Sequence, residues 1–283
     1  MIYIFLSILF FGLNNVLWKK NLQQCSVPFL VGYRALFTSV GSIIILIYTY
    51  GFDIYINQPL FLITLGSFFG VLGLFCMLIV IKKAPLQWLG IYNLVGIIFT
   101  AFYLYFFENI PVFNSFLGLF LIVIGFVFYI YQNKEKELKI SIVQHLYLLA
   151  MTFCFGISSL IQWKNLESKV PPIFIISIQE LVVFISATCI SITKIKLTKI
   201  KTDIKIYFFN ALIMAFIIFL ALLFSFLGLQ ITNPLISSIL FLATPLLTIV
   251  LGVLFFKEKM STFNIVALFL IAIGAAILHY QSN

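Results

Sequence analysis

Two full charges stand in stretches of the chain that are otherwise apolar: Arg34 within VPFLVGYRALFTSV and Glu180 within PPIFIISIQELVVF. An ionisable side chain in a membrane-spanning segment is costly, and it usually faces the interior of a helix bundle, where it serves function. Arg34 carries five donors and keeps its charge, so burial demands an acceptor. Three acceptors fit: Glu180, the carbonyls at a helix C-terminus, or an anionic group on a substrate. In the purely structural alternative, Arg34 snorkels to an interface and Glu180 pairs with a neighbouring hydroxyl or amide. Of the two, Glu180 lies nearer mid-span, and a carboxylate cannot snorkel far.

Uncharged polar residues widen the candidate cavity. Asn14, Asn15, Asn93, Gln162 and Gln179 lie in or near apolar stretches, and Tyr92 sits beside Asn93. Most such groups serve as interhelical hydrogen bonds, worth under about 2 kcal/mol each. The residues expected to line a substrate cavity are Glu180, Arg34, Gln179, Asn14, Asn15, Tyr92 and Asn93. Trp18, Trp88 and Trp163 fall near span ends, where an interfacial aromatic belt is the default. His145 and His279 also fall near span ends and read as solvated interfacial side chains. Glu108 and Glu258 close their helices against the macrodipole, which calls for a partner such as the N-terminus of the following helix.

These residues do not assemble a reaction centre. An intramembrane enzyme needs convergent catalytic groups on facing helices, and one mid-membrane Glu with two terminal His does not supply them. No catalytic residue, metal ligand or cofactor site is assigned. Cys25, Cys76, Cys154 and Cys189 form no CxxC pair and read as small apolar side chains. No nucleotide-binding loop is present, so ATP is not the direct energy source.

The elements that hold these residues follow from composition. Hydrophobic residues make up 63% of the 283, charged residues 9%, and Phe alone numbers 34; mean hydropathy is +1.20. Soluble domains carry roughly a quarter charged residues, so this surface faces a lipid bilayer. The net charge of +9 would suggest nucleic acid in a soluble protein. Here the lysines sit in short connectors and read as topology signals, so no nucleic-acid partner is expected. The first apolar stretch has no basic leader or clear cleavage site and reads as a retained span.

A crossing helix needs about 20 apolar residues. Charges and turn residues cut the chain into ten such segments, near 1–18, 27–49, 60–81, 84–107, 111–131, 140–163, 171–193, 206–229, 234–256 and 262–280. The expected fold is an all-α membrane protein of ten transmembrane helices. The polar run beginning at Gln132 separates a first five-helix unit, 1–133, from a second, 140–283, with 134–139 as linker. The halves echo one another. Phe106-x-Glu108 with Phe113-Asn114 recurs as Phe256-x-Glu258 with Phe263-Asn264, at an offset of 150. Gly12, Lys20-Asn21-Leu22 and Pro28 recur as Gly156, Lys164-Asn165-Leu166 and Pro172, at an offset of 144. Because five is odd, the second unit inserts upside down relative to the first. Inverted repeats place substrate sites near the midplane between the halves.

The stretch Thr244-Pro245-Leu246-Leu247, Gly252, Phe256-Lys257-Glu258-Lys259 and Gly274 resembles the signature of EamA-type carriers in the drug/metabolite transporter superfamily. Gly12, Asn14 and Lys19 resemble that family's W-G-x-N…K pattern, with Phe11 in place of the Trp. Arg34 falls where the family often has an Arg in its second helix. The chain departs from the pattern at Val95, the first-half counterpart of Pro245, and in the Gly51–Pro59 connector, which has no Lys or Arg. The resemblance implies a secondary transporter, often an exporter, of small metabolites such as amino acids. It implies a bacterial inner-membrane location, with energy from a proton or solute counter-flux or from the substrate gradient itself. The alternatives are an intramembrane enzyme or a non-transporting scaffold, and connectors of about a dozen residues leave little for a scaffold to display. No residue pattern specifies an oligomer. Fourteen Lys lie in odd-numbered connectors and only Lys164 and Lys169 in even-numbered ones. The positive-inside rule therefore puts both termini outside, whereas the resemblance implies both in the cytoplasm.

Overall fold

The computed structural model describes residues 2–55, 58–82, 87–109, 116–133, 141–232 and 234–241, with scattered positions between 243 and 277. The described residues form helices joined by short turns: α1 (Ile2–Leu22), α2 (Val27–Tyr50), α3 (Leu60–Ile81), α4 (Gln87–Phe107), α5 (Phe116–Asn133), α6 (Ile142–Glu167), α7 (Pro172–Lys194), α8 (Leu197–Ile231) and α9 (Pro234–Phe241), plus one 3₁₀ turn at Asp53–Tyr55. Six of them, α1, α2, α3, α6, α7 and α8, are long and apolar enough to cross a membrane. The linker expected at 134–139 lies outside the described residues, as do Pro245, Gly252 and Glu258.

Local chemistry explains where these helices start and stop. Proline opens α2 and α7, where its missing N–H costs nothing. Ser141 and Gln144 close a capping box on α6. Gly51, at φ 74°, ends α2 in a conformation natural to glycine.

Two boundaries differ from the sequence reading. Helix α1 continues through Lys19 and Lys20 to Leu22. Helix α8 starts at Leu197, so most of the expected basic loop at 194–205 is helical, and the helix reaches 35 residues. In both cases lysines end the apolar stretch without ending the helix. Lysine is a good helix former, and no Gly or Pro interrupts residues 196–206.

The helices pack in antiparallel pairs. On α3, Gly66 faces Gln162, Gly70 faces Ser158 and Gly73 faces Phe155 of α6. On α1, Ile4 meets Gly228 of α8, the Ser7 hydroxyl donates to the Ala221 carbonyl at 2.8 Å, and Asn21 accepts from Asn210 at 2.9 Å. On α2, Gly32 faces Ala187 and Thr188 of α7, while Arg34 meets the earlier Glu180. Helix α4 runs parallel to α6: Tyr92 contacts His145 and Phe99 packs on Gly156. Polar side chains such as Ser42, Ser67, Gln162 and Asn165 are buried, whereas Phe61, Phe68, Phe209 and Phe216 stand on the outside. That distribution suits lipid and not water.

The glycine stripe on α3 makes a stability prediction. A Cβ at Gly73 would lie 2.7 Å from the Phe155 ring and one at Gly66 2.8 Å from the Gln162 amide, whereas one at Gly41 on α2 meets nothing within 4 Å. Gly73→Val should destabilise the detergent-solubilised protein by about 1–3 kcal/mol. Gly41→Ala should leave its melting temperature unchanged or slightly raised. Equal melting temperatures for Gly73→Val and wild type would show that α3 and α6 do not pack at this distance.

Candidate functional site

Helices α2 and α7 bring Arg34 and Glu180 into a direct ion pair, Nη1 of Arg34 donating to Oε2 of Glu180. Of the three acceptors that the sequence left open for Arg34, the structure supplies Glu180. Both side chains are 2% exposed, so the pair is buried in the interior of the bundle. Gly32 allows the approach: a Cβ there would already stand 3.3 Å from the Ala187 Cβ. The Thr38 hydroxyl donates to the Arg34 carbonyl at 3.2 Å and lies 3.4 Å from the Ala215 carbonyl of α8. Those bonds tie the Arg34 turn to a third helix.

Trp18 forms the other wall. Its ring centroid lies 5.9 Å from Cζ of Arg34, within cation–π range, and the side chain is 1% exposed. The sequence reading placed Trp18 in an interfacial belt; the structure places it inside the bundle. Trp18 adjoins Lys19 and Lys20, which mark the end of the apolar stretch but not of the helix. Trp163 is likewise buried, at 6% exposure, with the Lys164 ammonium 4.5 Å over its ring.

The remaining candidates lie on α1, on α7 beside Glu180, and at the α4–α6 contact. Asn14, one turn before Trp18 on α1, is 3% exposed. Its Oδ1 and the Nε of Arg34 are buried without a hydrogen-bond partner among the described residues. Asn15 and Gln179 are half-buried. Tyr92 and Asn93 are half-buried on α4, where the Tyr92 hydroxyl lies 2.6 Å from Nδ1 of His145. Trp88 packs edge-on against the same imidazole at 5.3 Å, and the Tyr92 carbonyl accepts from Thr152 at 2.9 Å. Tyr92 therefore ties α4 to α6, and His145 is packed against aromatic rings instead of being freely solvated.

Glu108 has side-chain partners on α6 and α4. Its carboxylate receives Nζ of Lys164 at 2.7 Å and lies 3.3 Å from the Tyr103 hydroxyl. Lys164 also reaches Glu167 at 3.2 Å. The bridge joins the ends of α4 and α6; the connector from α4 to α5 lies outside the described residues. The parallel run of α4 and α6, which spacing along the chain does not reveal, brings these residues together. Among the described residues no group of three or more His, Cys, Asp or Glu gathers at metal-binding range.

An all-helical bundle with an apolar exterior and a buried charge pair at its centre is an integral membrane protein whose polar chemistry is internal. Residues 1–131 and 143–280 match the EamA-like transporter family, and the chain belongs to that family within the drug/metabolite transporter superfamily. A solved crystal structure of a protein shares the fold at a TM-score of 0.73 and 16% identity, over 98% of this chain and 94% of its own. No curated protein matches the sequence significantly.

Proposed function

We propose that the chain is a secondary transporter that exports small metabolites, such as amino acids and related compounds, across the bacterial inner membrane. Its working parts are two inverted five-helix units, 1–133 and 140–283. The observation that carries this reading is the buried Arg34–Glu180 pair, contributed by equivalent helices of the two units.

The helix pairing supports the repeat. A two-fold axis in the membrane plane exchanges α1 with α6, α2 with α7 and α3 with α8. The α1–α8 contact then maps onto the α6–α3 contact, and the α2–α7 contact maps onto itself. Gly12 and Gly156 occupy equivalent positions: each is packed by a large side chain, with a Cβ at Gly12 lying 3.0 Å from Leu247 and one at Gly156 lying 2.8 Å from Phe99. The family match falls in two stretches, one on each side of the linker.

In this reading, access to the pair alternates between the two faces, and substrate binding supplies the differential affinity that shifts the equilibrium between them. Either a proton or solute counter-flux or the substrate gradient drives net export. The test is uptake into proteoliposomes of metabolites that accumulate in cells lacking the protein. Wild type should carry a subset of them. Glu180→Gln should lower that flux at least tenfold while still inserting in the membrane, since a charge-assisted hydrogen bond is worth about 1.5–3 kcal/mol more than none. Equal flux in wild type and Glu180→Gln at every pH would reduce Glu180 to a packing residue.

A further inference from the structure

Helix α8 is longer than a membrane crossing needs. Its 35 residues reach about 52 Å, against about 30 Å of hydrocarbon, and the surplus lies at its start. Residues 197–205, LTKIKTDIK, precede the apolar run that opens at Ile206. Across that junction one face of the helix changes character. Lys201, Lys205, Phe208, Phe209, Leu212 and Phe216 follow the three- and four-residue spacing of a single face, and all are exposed. The opposite face, with Asp203, Tyr207 and Met214, is buried. Two cationic turns therefore continue directly into a lipid-facing aromatic surface.

Helix α2 widens that surface. The Phe37 ring meets Phe208 edge-on at 5.6 Å, Tyr33 packs on Phe37 at 5.2 Å, and the Tyr33 hydroxyl donates to the Ile204 carbonyl at 3.4 Å. The seam between α2 and α8 is thus an aromatic wall that ends, at Tyr33 and Ile204, level with Lys205. Nothing on α8 neutralises the two lysines. Besides one another, the residues three and four positions away are Leu197, Thr198, Thr202, Ile204, Phe208 and Phe209. Two ammonium groups at this spacing repel, and Asp203 lies on the far, buried side. A partner for this face needs a negative group for the lysines and a long apolar tail for the rings, in that order along the helix. A nucleic acid or an acidic peptide supplies only the charge. A phospholipid with a net negative headgroup supplies both.

We infer that the lysine end of the α2–α8 seam is a binding site for an anionic phospholipid. Lys201 and Lys205 hold the headgroup phosphate, and Phe37, Phe208 and Phe209 hold an acyl chain. Tyr33, bonded to the α8 backbone, braces the wall where headgroup and chain meet. A phosphate between the two ammonium groups removes their repulsion and so steadies the first turns of α8. The site lies on the lipid-facing surface and does not depend on what the protein carries.

The test uses the full chain, purified in dodecyl maltoside and stripped of lipid. It is titrated with dioleoyl phosphatidylglycerol, dioleoyl phosphatidylcholine or inorganic phosphate, with bound lipid counted by native mass spectrometry and melting followed in parallel. Phosphatidylglycerol should bind and raise the melting temperature, since a ligand of the folded state stabilises it. Phosphatidylcholine and inorganic phosphate at the same concentration should not. Lys201→Gln with Lys205→Gln should weaken phosphatidylglycerol binding about thirtyfold, from the contribution of two lysines beside an anionic headgroup. Lys194→Gln with Lys196→Gln removes the same charge from exposed positions at the α7–α8 junction, off this face, and should weaken binding by less than about threefold. Equal binding of the two lipids would reduce the seam to general lipid contact. Equal losses in the two lysine pairs would mean a diffuse field in place of a site. A melting shift from inorganic phosphate matching that from phosphatidylglycerol would mean that the acyl chain plays no part. Each of these three outcomes overturns the inference.

Discussion

Glu180→Ala is expected to harm the protein more than Arg34→Ala, and the double variant less than the sum of the two. The reason is that the two partners of the buried pair respond differently to being left alone. Removing Glu180 strands a guanidinium that cannot shed its charge, at 2% exposure. Removing Arg34 strands a carboxylate, which can take up a proton and become neutral. Breaking a buried pair from one side costs about 3–5 kcal/mol, whereas removing both members leaves no charge to strand. Melting of the detergent-solubilised variants should therefore rank wild type highest, then the double variant and Arg34→Ala, with Glu180→Ala lowest. Arg34→Lys should fall between wild type and Arg34→Ala, since an ammonium restores the charge without the Nε edge or the planar contact with Trp18. Flux should be lost in both single alanine variants and remain low in the double variant, which has recovered stability but no donor. Additive losses of stability around this cycle would mean that the two residues do not interact.

Much of this architecture was legible in the sequence because membrane insertion writes a strong signal. Long apolar stretches mark the six membrane-length helices among the described residues, though not the full ten expected, and Arg34 and Glu180 stand out because charge in such stretches is rare. What hydropathy could not supply was direction around each helix. Trp18 adjoins two lysines and so looked interfacial, yet its face of α1 turns inward onto Arg34. Glu108 looked like a hairpin closure because chain order places α5 next. The parallel packing of α4 on α6 brings it Lys164, a residue 56 positions away. The charge of the basic run at 194–205 suggests a loop, whereas a helix continues through lysine freely once it has left the hydrocarbon. Asn21 was read only as part of the repeat, and its role in bonding Asn210 across α1 and α8 depends on a pairing that no local pattern announces.

That pairing also gathers the lysines, and gives the second large prediction. Nζ of Lys82 at the end of α3 donates to the Cys25 carbonyl in the α1–α2 turn at 3.1 Å, and Asn210 in α8 donates to Asn21 at the end of α1. The ends of α1 and α3 and the start of α8 therefore share one membrane face, carrying Lys19, Lys20, Lys82 and the lysines from 194 to 205. The opposite face carries Glu108, Lys164, Glu167 and Lys169 around the α4 and α6 ends. The positive-inside rule assigns the lysine-rich face to the cytoplasm, because short basic connectors resist translocation. That puts the N-terminal end of α1 outside, the reverse of what the family resemblance implies. Single cysteines in a variant with Cys25, Cys76, Cys154 and Cys189 changed to serine decide between them. With a membrane-impermeant maleimide on intact cells, Ser168→Cys should label and Lys201→Cys should label only after permeabilisation; both positions are exposed at helix ends. The opposite pattern would mean that the charge bias of this chain does not set its orientation. It would also place the lysine-rich face of the bundle, with the α1–α8 contact beneath it, outside the cell.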